Sequence, residues 1–180
     1  MLNLKTTNIT CTFSFGCRIS HQFLKNKLYD FEIKKNFMII RIREPRATAL
    51  MFESGSVSMS GTTSVNGMQR AARIFAKKLV RHGYKASVKN LQIRNIAFSA
   101  RVPWKLNISK LPDVVYDRID YSEGAAAATV HGQGGARFKF FHTGSIIVTG
   151  YNSINEAQDD SSVVFEIARL IASDGETLEV

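Results

Sequence analysis

Residues 52–61 read FESGSVSMSG and residues 141–150 read FHTGSIIVTG; four of the ten positions are identical, most others are conservative, and the offset is 89 residues. A second pair, NITCTFSFGCRI from Asn8 and NIAFSARVPWKL from Asn95, lies at an offset of 87. A period that long is not the roughly 20 to 50 residues of a solenoid unit. It indicates duplication of a whole α+β half, so each half is to be read for the same order of elements.

Outward from the first copy, residues 8–19 alternate as a strand, with Ile9, Cys11 and Phe13 on one face and Thr10, Thr12 and Ser14 on the other. Ser20 can cap a short helix through about Leu28. Residues 37–43 and 48–52 are β-rich runs split by Glu44-Pro45-Arg46, and Ser54-Gly55 predicts a hairpin turn into residues 57–60. A longer helix follows from about Val65 to His82. There Met68, Ala71, Ala72, Phe75 and Leu79 form an apolar stripe, Arg70, Arg73, Lys77 and Arg81 a basic one, and Gly83 a stop. In the second half Ser153 and Glu156 have capping-box spacing before a helix to about Ala172, with Asp159 and Asp160 near its positive end and Ala157, Val164, Ala168 and Ile171 as its buried stripe. Hairpin strands followed by one long amphipathic helix predict an antiparallel sheet covered on one face. Two copies joined edge to edge make a wide sheet with helices on its convex side and the opposite face open.

Composition narrows the function classes. The chain has 180 residues, 44% hydrophobic and 22% charged, enough for one domain or two small halves with a substantial core. Its apolar runs are far short of the roughly 20 residues a spanning helix requires. The start, Met1-Leu2-Asn3-Leu4-Lys5, has no apolar h-region, so no secretory signal is expected. Two cysteines six apart exclude a disulfide scaffold and point to a reducing compartment. The net charge of +9 is lopsided: residues 1–90 hold 16 Lys and Arg against 4 Asp and Glu, and residues 91–180 hold 8 against 11. Such a half suits a polyanion or an acidic partner.

The segment IIRIREPRATALMF at residues 39–52 resembles the most recognisable segment of the TATA-binding protein family. The SG and TG hairpins, AAR at residues 71–73 and QIRNI at residues 92–96 fall where that family has them. The resemblance spans about residues 8–172. It implies an α+β saddle: two pseudo-symmetric repeats forming a curved, ten-stranded antiparallel sheet, four helices on the convex face, and a concave face that binds the DNA minor groove. The expected layout is an N-terminal tail at 1–7, repeats at 8–90 and 91–173, and a C-terminal tail at 174–180.

Departures from the family pattern shape the expected function. Members that bind TATA elements wedge two pairs of phenylalanines into base steps, the standard example of minor-groove kinking. Phe52 and Phe141 align with one member of each pair. The other members align without gaps to Lys35 and Gly124, although Phe37 or Phe31 could serve if the preceding loop is shifted. Asn8 and Asn95 match the family's two central asparagines, and Arg41, Leu50, Ile147 and Thr149 complete the expected DNA-facing set. Positions that are apolar in the family become Thr10, Ser58, Ala97 and Lys139, and the lysines after its hairpin turns correspond to Ser56, Thr63, Ser145 and Asn152.

The expectation is therefore a nuclear initiation factor of the TBP-like branch. It would act at RNA polymerase II promoters on weakly bound minor-groove DNA, with general factors IIA and IIB as partners. The resemblance implies that factor IIA meets the basic stripe Arg70, Arg73, Lys77 and Arg81; at residues 121–128, YSEGAAAA replaces the loop the family offers to factor IIB. Two alternatives stay open: an orthodox TATA-binding protein, and an adaptor that sequesters factor IIA without DNA.

The bland features point away from catalysis. Cys11 reads as core, Cys17 lacks metal-ligand spacing, and the four histidines sit in no nucleophile or acid/base motif. VHGQGG at residues 130–135 lacks the Lys-Ser/Thr of a phosphate loop. Trp104 reads as packing between sheet and helix. No enzyme activity, metal, cofactor, small-molecule substrate or membrane span is expected.

Overall fold

The computed structural model describes residues 2–25, 31–115, 118–122, 124 and 126–177. The chain divides into two compact units, Thr7–Arg94 and Asn95–Val180, the latter together with Met1–Thr6.

The first unit is built on β1 (Lys5–Ser14), α1 (His21–Lys25), β2 (Phe31–Ile33), β3 (Met38–Ile42), β4 (Ala47–Met51), β5 (Ser56–Thr62) and α2 (Val65–Val80). Its strands are antiparallel in the order β2-β3-β4-β5-β1. Alternation does what the pattern predicts: Ile9, Cys11 and Phe13 are buried, while Thr10, Thr12 and Ser14 remain half-open on the other face. The stripe of α2 is buried at Met68, Ala71, Ala72, Phe75 and Leu79, each large apolar side chain contributing about 1.5–3 kcal/mol. Ser64 caps α2 by accepting from the Gly67 N–H at 3.0 Å, and Gly83 follows its end at φ +88°.

The second unit repeats the plan with β6 (Lys89–Arg101), β7 (Trp104–Leu106), α3 (Leu111–Val114), β8 (Ile119–Tyr121), β9 (Ala127–His131), β10 (Arg137–Phe141), β11 (Ser145–Tyr151), α4 (Ile154–Asp159), α5 (Ser161–Leu170) and β12 (Ala172–Thr177). Its antiparallel order is β6-β11-β10-β9-β8, and β7 pairs separately with β12. The fold class is thus α+β, with two repeats of five antiparallel strands each and helices on one face, ten such strands in all.

Several boundaries differ from expectation for local reasons. Strand β1 runs over 5–14 and not 8–19, because Gly16 takes φ +72° and turns the chain out of the pleat. Phe15 and Ile19 instead donate to the carbonyls of Gly55 and Glu53 in the hairpin. The short helix after Ser20 is described only to Lys25; its expected end at Leu28 lies outside the described residues. The long helix of the second half is interrupted at Asp160, whose carboxylate accepts from the Tyr151 hydroxyl at 2.6 Å, and it ends at Leu170 where β12 takes over. Ser153 has an extended cap conformation but makes no side-chain cap bond, so the predicted capping box does not form. Trp104 packs as read: half-buried, edge-on to Phe165 at 6.0 Å, with its indole N–H donating to the Ala168 carbonyl.

Candidate nucleic-acid interface

In each unit the helices cover one face of the strands and leave the other open. Register decides what that face displays, because residues directly opposite across strands point to the same side. In the first unit one row runs Glu32, Ile39, Leu50, Ser58, Thr12, and the next Arg41, Thr48, Ser60. In the second unit the corresponding rows are Asp120, Thr129, Lys139, Ile147, Ser99 and His131, Arg137, Thr149.

The two asparagines occupy matching irregularities. The β1–β5 register shifts between Ile9 and Cys11, and the β11–β6 register between Val148 and Tyr151, each beside a glycine of positive φ, Gly61 at +107° and Gly150 at +97°. The freed N–H of Gly61 donates to Asn8 Oδ1 at 2.7 Å, and that of Gly150 to Asn95 Oδ1 at 2.8 Å. A backbone N–H can only be met by an acceptor, so these bonds fix which end of each amide is the carbonyl. The NH2 end is left as the donor; that of Asn8 gives one N–H to Thr10 Oγ1 at 3.4 Å and keeps its second. That polarity suits the minor groove, whose A·T pairs present only acceptors.

The hairpin ends carry the aromatic side chains. Phe52 precedes the Ser54-Gly55 turn and is 37% exposed. Its ring lies 6.0 Å from that of Phe37, tilted by 57°. The pairing follows from register: Met38 opposes Met51, so the next residues outward, Phe37 and Phe52, come together. Lys35, the gapless counterpart of a second wedge, is exposed in the turn, and of the two residues kept as substitutes it is Phe37 whose ring stands beside Phe52. In the second unit Phe141 opposes Ala127, the counterpart of Phe37, and among the described residues no second ring packs on it. Lys139 Nζ lies instead 5.3 Å from the Phe141 ring centroid.

The remaining expected contacts are distributed unevenly. Leu50 and Thr149 are half-buried on the open faces, and Ile147 is 38% exposed. Arg41 is on the open face but its guanidinium is held by Glu32 Oε2 at 3.4 Å. Lys34 Nζ meets the same carboxylate at 2.5 Å. These partners, Lys34 first, keep the Glu32 carboxyl below its usual range. Sequence reasoning missed this pairing because Glu32 is in a three-residue strand with no alternating pattern to reveal it. On α2, Arg70, Arg73, Lys77 and Arg81 are all exposed, on the side away from the buried stripe. Burial pushes the Cys11 thiol up to about 11, as befits a core residue. Among the described residues no group of three or more His, Cys, Asp and Glu could hold a metal, and no helix is long and apolar enough to cross a membrane.

The family model described as transcription factor TFIID, or TATA-binding protein, matches residues 3–82 and 90–171. The TATA-box-binding protein-like 1 of Entamoeba histolytica is 26% identical over 171 residues, 92% of this chain and 79% of that protein. The TATA-box-binding protein of Artemia franciscana is 33% identical over 107 residues, 58% of this chain and 39% of that one. Among solved structures, the Methanococcus jannaschii TBP superposes with a TM-score of 0.80 at 19% identity, covering 93% of this chain and 98% of its own.

Proposed function

Because the chain belongs to the TATA-binding protein family, we propose that it is a nuclear initiation factor acting at RNA polymerase II promoters, with weakened recognition of TATA elements and with general factors IIA and IIB as partners. The observation that carries this reading is the pair of asparagine locks, Asn8 on Gly61 and Asn95 on Gly150. They leave a donor on each open face while the side chains around them have lost apolar surface. Asn8, Arg41, Leu50, Phe52, Asn95, Phe141, Ile147 and Thr149 form the proposed DNA contact.

Magnitudes argue for weakness. Bending a short duplex by tens of degrees costs about 1–6 kcal/mol, and unstacking adds a few more per step. The second unit has a Phe141 with no ring partner among the described residues and a lysine in the slot that Leu50 fills in the first. Ser56, Thr63, Ser145 and Asn152 contribute no cation to phosphate binding, which removes ion-release terms. On the helical side, Arg70, Arg73, Lys77 and Arg81 suit an acidic surface of factor IIA and would speed association in low salt. The factor IIB contact is placed near residues 121–128, of which Glu123 and Ala125 lie outside the described residues.

A titration of the protein with TATA, TATA-less promoter and random duplexes, with and without factor IIA, tests the reading. Weak, IIA-enhanced binding with little preference for TATA is expected. Nanomolar TATA binding with strong bending would favour the orthodox alternative, to which the Phe37–Phe52 ring pair lends its support. Factor IIA binding without DNA binding under any condition would favour the adaptor.

A further inference from the structure

The outer edge of each open face carries a carboxylate at the same structural position. Glu32 stands opposite Ile39 in the first unit, and Asp120 opposite Thr129 in the second. Each gathers basic groups from the residue flanking its own strand and from the neighbouring strand. Glu32 holds Lys34 and Arg41, at 2.5 and 3.4 Å. Asp120 holds His131 Nε2 at 2.7 Å and Arg118 Nε at 3.1 Å. Arg41 and His131 are themselves counterparts, opposite Thr48 and Arg137 in the second row. The sequences around the two carboxylates, FEIKK and RIDYS, share no motif, so the recurrence is a property of the strands' register and not of the repeat's wording.

A carboxylate on a face meant for DNA has two effects of the same sign. It repels phosphates, and it occupies cations whose transfer to phosphates would release counterions. Minor-groove donors such as the asparagine amides are untouched by either effect. We propose that Glu32 and Asp120 are determinants of DNA discrimination: they hold Lys34, Arg118 and, outside its proposed specific contact, Arg41 on the protein, with the His131 ring against Asp120, and so suppress binding to duplexes of arbitrary sequence. This is the rejection of wrong partners by built-in repulsion, and it rests on the reading of the open faces as the DNA contact.

The test compares the wild-type chain with the double variant Glu32→Gln, Asp120→Asn on labelled random-sequence and promoter duplexes, by fluorescence anisotropy across a salt series. A control, Asp113→Asn with Glu166→Gln, removes the same charge from the helical side. The double variant is expected to bind random duplex about tenfold more tightly at low salt, with a log K against log salt slope steeper by about 2, since each added phosphate contact contributes roughly −0.9. The control is expected to match wild type. The two single variants, each expected to give about a third of the effect in log units or more, keep the test informative should the double variant melt early by circular dichroism. Unchanged affinity and slope, or an equal gain in the control, would overturn the inference. Wild-type binding to promoter DNA in that same series would leave the proposed function standing. A wild type that binds no duplex in any arm defeats the DNA part of the function and the inference with it.

Discussion

The row Glu32, Ile39, Leu50, Ser58, Thr12 of the first unit corresponds to Asp120, Thr129, Lys139, Ile147, Ser99 of the second, and only the carboxylate and the hydroxyl at the two ends keep their chemistry. Apolar surface lies toward the outer strands in the first unit and on the inner strand β11 in the second. The backbone beneath diverged far less: both units keep the Asn-to-Gly bond, the register shift and the Gly-containing hairpin. The difference has a physical cause. The Asn–Gly bonds and register shifts belong to the strand pairing itself, whereas an open-face side chain has little of its area in the core and can change at small cost in stability. The helices diverged similarly. Helix α2 is continuous and has no acid in its first turn, while its counterpart is broken at Asp160 and has Glu156 there.

Glycine substitutions should break the correspondence most visibly. A Cβ at Gly150 would run into the Gly135 carbonyl, while at Gly61 the nearest atom is Ala47 Cα at 3.4 Å. Both positions have φ near +100°, where an L side chain is strained. Gly150→Ala is expected to cost about 3 kcal/mol or more and Gly61→Ala about 1–2 kcal/mol, read from urea denaturation midpoints.

The aromatic ends should differ next. Phe37→Ala removes one ring of a pair, so its loss in duplex bending, followed by energy transfer between end labels, should exceed that of Ala127→Ser in the second unit, where no ring is lost. A fall of about 1–3 kcal/mol in promoter affinity is expected for Phe37→Ala, the scale of one base–aromatic contact. Equal effects would mean that the ring pair is not a contact.

A third pair sharpens the contrast inside the core. Tyr151 and Thr62 oppose Ile96 and Ile9 at corresponding places. The Tyr151 hydroxyl donates to Asp160, and burial together with that bond keeps it protonated well above the ordinary tyrosine range. Thr62 Oγ1 is buried without a partner among the described residues. Tyr151→Phe should therefore destabilise by about 1.5–3 kcal/mol, and Thr62→Val should be neutral or mildly stabilising, by thermal denaturation.

The smallest effect concerns pH. His131 and then Arg118 hold the Asp120 carboxyl below its usual range, as Lys34 and Arg41 hold Glu32. With folded values below unfolded ones, each pair contributes stability above the unfolded carboxylate range near 4, and that contribution is lost as pH falls through the folded value. Both sites are solvent-exposed, so carboxyl NMR titration is the proper readout. Midpoints for both should lie below ordinary values, and removal of Lys34 should raise only that of Glu32.

Most of the scaffold was legible because it rests on periodicity. Alternation along residues 9–13 and the α2 stripe report burial directly, since only one face of each element can be covered. The hairpins were legible because Ser54-Gly55 and Thr143-Gly144 need positive φ at the glycine. Three features escaped. Strand β2 is too short to show a period, the helix break falls at Asp160 where the carboxylate meets a hydroxyl nine residues away in another element, and the capping box had the right spacing but no bond. Alignment without gaps placed the missing rings at Lys35 and Gly124; strand pairing moved the question to Phe37 and Ala127.

The residues alone thus determined the duplication, the order of elements in each half, the buried faces and the kinship, because these depend on local patterns of polarity and turn chemistry that recur in linear order. Register across strands was decided only in three dimensions. It set Phe37 beside Phe52 and Phe141 opposite Ala127, and placed a carboxylate against Arg41 and another against His131. Such pairings join residues nine to fifteen apart, through hydrogen-bond ladders whose alignment depends on the length of each turn, and a shift of one residue would have sent every side chain to the opposite face.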